Sequence, residues 1–268
     1  AGWKLIDDEA RERSVVALAA RKLVDFAGPH GWEHSATDLG RTNALSGAPV
    51  PGVSGLQRRV LPLVEVRADF ELSRAELRDA DRGADNIDLT ALDQAAHQIA
   101  VAENVAVFHG WDGVITGIGE ASPHPVTALG EGADGYPRRV AGAIEVLLSN
   151  GIAGPYGLAL GSEPYRRVIE TSEHGGYPLL EHLRKILEGP IVWAPGVTGA
   201  VLVSLRGGDF VLDCGQDLSV GYDSYDRDVV RLYLEESFSF HVATPEAAVA
   251  FISEEGPGQR ESGRGRRR

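Results

Sequence analysis

Hydrophobic and polar positions along the chain change period several times, and each change marks a predicted element. Residues 1–24 carry Trp3, Ile6, Ala10 and Ala17 near one side, with Val15, Val16 and Leu18 beside them. That spacing predicts an amphipathic helix, stopped by Gly28-Pro29. Residues 37–60 have no such period. Gly40, Gly47, Gly52 and Gly55, two prolines and few bulky apolar side chains cannot build a core there. A long loop or projecting hairpin is predicted, with a flexible linker as the alternative. Residues 61–72 alternate strictly, setting Val64, Val66, Ala68, Phe70 and Leu72 against Glu65, Arg67, Asp69 and Glu71. This is the pattern of a strand with one wet face.

Residues 89–109 place Leu92, Ala95, Ala96, Ile99, Ala102 and Ala106 at helical spacing, with no Gly or Pro, and predict the longest helix. The Gly/Pro-punctuated stretch 112–135 marks entry into a second subdomain. Helices are predicted at 138–150, 163–171 and 179–187, the last broken by Gly189-Pro190, and a short strand at 156–160. Residues 201–205 and 210–214 flank Arg206-Gly207-Gly208-Asp209, which has the chemistry of a hairpin turn. Residues 231–242 alternate again, with Leu232, Leu234, Phe238, Phe240 and Val242 inward. Antiparallel hairpins without βαβ repetition make the predicted class α+β.

Composition and charge set further bounds on this picture. At 268 residues, 43% hydrophobic and 24% charged, the chain can bury a substantial core. The single cysteine, Cys214, excludes an intramolecular disulfide framework and a Cys-based zinc site. The opening is acidic and amphipathic, unlike a secretory leader, and no run of eighteen apolar residues occurs, so a cytoplasmic protein without a membrane span is expected. Of the net charge of −13, the tail 256–268 contributes +4 from five Arg and one Glu, leaving −17 on the body. An acidic body argues against general nucleic-acid binding, and the Gly/Arg tail is predicted to be a disordered extension.

Chemistry is sparse. There is no G-x-G-x-x-G after a strand, no Walker A loop, no H-E-x-x-H and no G-x-S-x-G. His30, Glu33 and His34 come nearest to a metal cluster, but Gly31 and Gly28-Pro29 argue against the helix that would align them. Hydrogen-bonded surface histidines are the favoured reading there. Glu76, Asp79, Asp81 and Arg82 read as a solvated face or as intersubunit ion pairs. Glu170, Glu173 and His174 run into Gly175-Gly176 and read as a loop. No nucleophile is paired with a base, so these residues predict no active site.

Several strings, in order, are informative: RKLVDFAGPHGWEHSATDLG, LPLVEVRADFELSRAEL, DADRGADNIDL, IAGPYGLAL, RGGDFVLDCGQDLSVGY and VRLYLEESFSFHVATPEA. Together they resemble the encapsulin shell proteins, the linocin-type family, over nearly the whole chain. The resemblance implies the HK97 phage-capsid-like fold, with a P-domain, an A-domain and an E-loop. Residues 1–36 would be the N-terminal helix and arm, 37–60 the E-loop, and 61–112 the P-domain strand and spine helix. Residues 113–204 would be the A-domain, 205–255 the P-domain return strands, and 256–268 the basic tail. It further implies an icosahedral homo-oligomer, with 60 subunits as the first expectation, that encloses a cargo enzyme and is not itself an enzyme.

The same resemblance implies sites. The cargo's C-terminal targeting peptide would lie in a groove between Leu18, Arg21, Leu23 and Asp25 on one side and Asp217 and Leu218 on the other. Arg21 would sit at the wet rim of that groove. The leucines could equally be plain core. Leu187, Glu188, Gly189 and Pro190 would line a five-fold opening. Family members that hold a flavin do so on an aromatic where this chain has Ala75, so no cofactor is expected. A ferritin-like iron oxidase or a dye-decolourising peroxidase is the expected cargo, with no membrane or specific nucleic-acid partner. A phage or prophage capsid protein and an independent hydrolase remain as alternative readings.

Overall fold

The computed structural model describes residues 2–130, 132–173 and 175–253. Helix α1 (Gly2–Ala17) buries Ile6, Ala10, Ser14 and Ala17 as one stripe, while Lys4–Asp8 and Glu9–Arg13 pair four residues apart on the wet side. It stops well short of residue 24. Asn104 explains why: its Oδ1 accepts the backbone N–H of Ala19 (2.9 Å) and of Ala20 (3.1 Å), and its Nδ2 donates to the carbonyl of Ala17 at 2.9 Å. The side chain takes over the bonds a continuing helix would have made. The chain turns through a 3-10 segment, Ala20–Lys22, into strand β1 (Asp25–Ala27). Trp3, Val15 and Val16, expected on or beside the buried side, are exposed.

Strands β2 (Ala36–Ala44) and β3 (Leu56–Pro62) form an antiparallel hairpin with register from Ala36↔Pro62 to Ala44↔Leu56. No side chain in either strand is fully buried, so the stretch is an ordered hairpin without a core of its own. Strand β4 (Val64–Ser73) follows and buries Val66, Ala68, Phe70 and Leu72, as the alternation predicts. Ser73 caps helix α2 (Arg74–Asp81), its Oγ accepting the N–H of Ala75. Helix α3 (Thr90–Phe108), the longest among the described residues, lies across β4.

The remaining elements are α4 (Ile118–Ala121), β5 (Thr127–Ala128), α5 (Tyr136–Ser149), β6 (Tyr156–Leu160), α6 (Ser162–Glu170) and α7 (Leu179–Leu187). After them come β7 (Ile191–Trp193), β8 (Ala200–Ser204), β9 (Phe210–Cys214), β10 (Ser219–Tyr225), β11 (Val229–Val242) and β12 (Ala248–Ile252). The first sheet has the order β1-β9-β11-β10, with β4 also paired to β11. Its long strand β11 pairs with β4 and β10 over one part and with β9 over the rest. The second sheet has the order β5-β12-β8-β6-β7, and α5, α6 and α7 pack around it. β6 and β7 are parallel, joined through α6 and α7.

Two expectations need correction. Residues 206–209 are not a hairpin turn. Gly207 and Gly208 take positive φ and Arg206 pairs with Asp209, as turn chemistry requires. But β8 is hydrogen-bonded to β12 and β6, whereas β9 pairs with β1 and β11, so the turn hands the chain from one sheet to the other. Likewise β12, within the predicted return segment 205–255, pairs with β8 and β5 and belongs to the second sheet. The basic tail lies outside the described residues. No helix among the described residues is long and apolar enough to cross a membrane.

Candidate functional site

A groove of about 190 Å³ runs between α1 and β10, and it gathers four of the six predicted peptide-contact residues: Leu18, Arg21, Asp217 and Leu218. Ala10 and Val15 add to the helix wall and Val220 to the strand wall, with Asp7 and Arg11 as further charged members. Val15 is 55% exposed although apolar, so this wall offers contact area that the chain itself leaves uncovered. Leu218 is half-buried. Leu18, by contrast, is packed against Ala17 and Ala100 and is core.

Leu23 and Asp25 lie elsewhere. Leu23 is buried, with its side chain so close to Gly157 that a Cβ there would collide with it. Asp25 Oδ2 accepts the N–H of Gly208 at 2.5 Å and braces the crossover between the sheets. Both sit beside the groove's helix in sequence but past the bend that Asn104 imposes. The predicted opening residues divide in the same way. Leu187 is fully buried with Leu179 and Leu183, one face of α7, and cannot line a channel. Glu188 ends the helix at φ 55°, Gly189 abuts the carbonyl of Tyr156, and Glu188 and Pro190 are exposed.

Beneath the groove, Arg21 is not at a wet rim. Its side chain is 17% exposed and meets three carboxylates, each at 2.7 Å: Nε to Glu103, Nη1 to Asp217 and Nη2 to Glu236. The ring of Phe26 lies 4.8 Å from the guanidinium. Burial works against the Arg21 charge, but Glu103, Glu236 and the hydrogen bond to Asp217 outweigh it and raise the pKa. Burial also raises Glu103, opposed by Arg21, and raises Glu236 further because the Glu103 charge adds to it. Asp217 is the open end of this cluster, its side chain 44% exposed, and gives the groove a negative group facing solvent.

Glu103, Glu236, Asn104 and Val15 were not among the expected site residues. Glu236 falls in phase with Leu232, Leu234, Phe238 and Phe240, so a charge on the inward face of a strand was there to be read. Glu103 continues the buried side of α3 four residues after Ile99. Nothing in their spacing says that Arg21 is the shared partner.

Taken as a whole, the chain is similar to capsid proteins. The virus-like particle from Pyrococcus furiosus matches with a TM-score of 0.60 and 16% identity, covering 90% of this chain and 97% of that one. The capsid of an empty GTA particle matches with a TM-score of 0.55 and 16% identity, covering 89% and 90%. The fold is that of the HK97-like capsid proteins. Sequence is more specific. A family model described as "Encapsulating protein for peroxidase" matches residues 1–239. The type 1 encapsulin shell protein of Rhodospirillum rubrum is 48% identical over 253 residues, 92% of this chain and 90% of that protein. The chain belongs to the encapsulin shell family.

Proposed function

We propose that this chain is the subunit of a cytoplasmic icosahedral shell of 60 copies, and that the α1–β10 groove holds the C-terminal peptide of an enclosed enzyme. The observation that carries the shell reading is the β2–β3 hairpin. Ordered strands that bury no side chain in their own subunit gain their packing from a neighbour. Residues 37–60 are thus read as the E-loop, the first sheet with α3 as the P-domain, and the second sheet with β12 as the A-domain. The chain then acts by enclosing, not by catalysis.

For the groove, Val15, Leu218 and Val220 suit alternate apolar side chains of an extended peptide, and Asp217 and Asp7 suit a basic residue in it. The family description favours a peroxidase as the enclosed enzyme. The test is size-exclusion chromatography and negative-stain imaging of the purified chain. Megadalton closed particles are the expected outcome, and a monomer or small oligomer at all concentrations overturns the reading.

A further inference from the structure

Away from the groove, one cluster of side chains among the described residues has the reach to hold a metal ion, and it stands at the foot of the β2–β3 hairpin. After β1 the chain is laid against the end of β9: the N–H of His30 donates to the carbonyl of Cys214 (3.0 Å) and that of Gly31 to Gly215 (2.7 Å). Gly28, at φ +111°, has no room for a Cβ against the Cys214 carbonyl, so no other residue fits this approach. The loop thereby sets His30 and His34 over Asp213 without a helix. His30 Nε2 lies 3.0 Å from Asp213 Oδ1, and His34 Nε2 lies 3.1 Å from Oδ2. The Asp213 side chain is 7% exposed, yet its Oδ1 accepts no well-formed hydrogen bond from any described residue. Glu33, grouped with the histidines in sequence, is not a member; the third group comes from β9.

We propose that His30, His34 and Asp213 bind one divalent first-row transition cation of the Zn²⁺ class, which clamps the foot of the hairpin to the first sheet. Two imidazoles and a carboxylate are a donor set such ions take. The three ligand atoms lie within 4.8 Å of one another, so small rotations bring them to bond lengths of about 2.0–2.2 Å around one ion. His30 is about half exposed, which opens a path for the ion and a fourth position for water. Asp213 is oriented from outside: Thr37 Oγ1 donates to its Oδ2 at 2.5 Å and is itself hydrogen-bonded to Ser239. Thr37 is the second residue of β2 and pairs with Leu61, so an ion here fixes the point where the hairpin leaves the body.

The test uses the full-length protein as purified, stripped with EDTA, moved into metal-free buffer and titrated with Zn²⁺ and separately with Co²⁺. About one equivalent per chain is expected, with a visible ligand-field band for Co²⁺. The double variant His30→Gln/His34→Gln loses both. In the unsubstituted protein, Zn²⁺ should slow diethyl pyrocarbonate modification of His30 and His34 several-fold, mapped by mass spectrometry, and leave the exposed His97 unchanged. Equal metal uptake by both proteins, or His30 and His34 modified as fast at saturating Zn²⁺ as without it, overturns the site. The modification assay needs no variant and decides the matter even where the double variant does not fold.

Discussion

Glu103 on α3 and Glu236 on β11 are both fully buried and share a single guanidinium, each meeting Arg21 through Oε2 at 2.7 Å. Neither Oε1 has a hydrogen-bond partner among the described residues. One cation cannot balance two buried carboxylates that also face Asp217. Burial therefore raises both, Glu236 most, and the pair holds a proton at a pH where a free glutamate has lost it.

The unfolded chain loses these protons near a pKa of about 4.3, while the folded pair keeps one to higher pH. Stability from this pair is complete below that value and is lost as pH rises through the folded pair's range. Glu236→Gln is a neutral isostere that removes this loss. Its urea midpoint minus that of the parent should grow as pH rises above about 5 and level off once the folded pair has lost its proton. A difference that is flat or shrinks with pH contradicts a retained proton.

Arg21 should behave as a structural residue. Arg21→Met leaves Glu103 and Glu236 without their cation, and breaking a buried pair in this way costs about 3–5 kcal/mol. Arg21→Glu adds a further carboxylate and should abolish soluble protein. Because the cluster is buried, the Met variant's loss in urea midpoint should be nearly the same at low and high salt. An Arg21→Glu protein that folds normally and merely loads cargo in a salt-sensitive way would restore Arg21 to the groove's rim.

Asn104 uses its whole amide: two backbone N–H groups on the carbonyl oxygen, and the carbonyls of Ala17 and Pro195 on the nitrogen. Asn104→Leu strands these buried groups, each at a cost of about 1–3 kcal/mol. Thermal unfolding should show a loss comparable to a large core truncation. Hydrogen exchange should speed at Ala19 and Ala20 before it does so in β11.

Elements with one strong period were legible from sequence: β4, α3 and β11 stand where alternation or helical spacing put them, and β6 and α7 keep their predicted bounds. The bend after Ala17 was not, because Leu18, Ala19 and Ala20 continue a good helical pattern and only Asn104, far along the chain, overrides it. The crossover at 206–209 escapes the sequence for a related reason. Turn residues report that a chain reverses locally, not which strands it then pairs with. The residues that line the groove were legible in part. Family strings located Leu18, Arg21, Asp217 and Leu218, but the same contiguous stretch carried Leu23 and Asp25 past the bend into the core and the crossover.

The hairpin separates folding from assembly. Replacing residues 37–60 with a Gly-Gly link joins Ala36 near its cross-strand partner Pro62 and removes no buried side chain. The shortened chain should keep the circular dichroism of a folded protein yet give no closed particles by negative stain. Normal shells from this variant contradict the role given to the hairpin.

The groove itself can be tested at positions that are not fully buried. Leu218 is half-buried and Val15 is exposed, so a carboxylate at either stays hydrated in the empty subunit and should leave the shell intact. When a peptide covers the groove, that carboxylate loses water in a lining that already holds Asp7 and Asp217, against Arg11 and an Arg21 already held by three carboxylates. Burying an unpaired charge costs several kcal/mol, and even about 2 kcal/mol weakens binding roughly thirtyfold. Leu218→Asp and Val15→Asp, co-expressed with the native cargo, should therefore give intact particles with cargo content reduced to a small fraction, measured by the cargo-to-shell band ratio after particle purification. Leu18→Asp should differ in kind: Leu18 is 6% exposed, so its substitution lowers the yield of folded subunit and not the loading of the shells that form. Full loading of Leu218→Asp and Val15→Asp shells would move the peptide site away from α1 and β10.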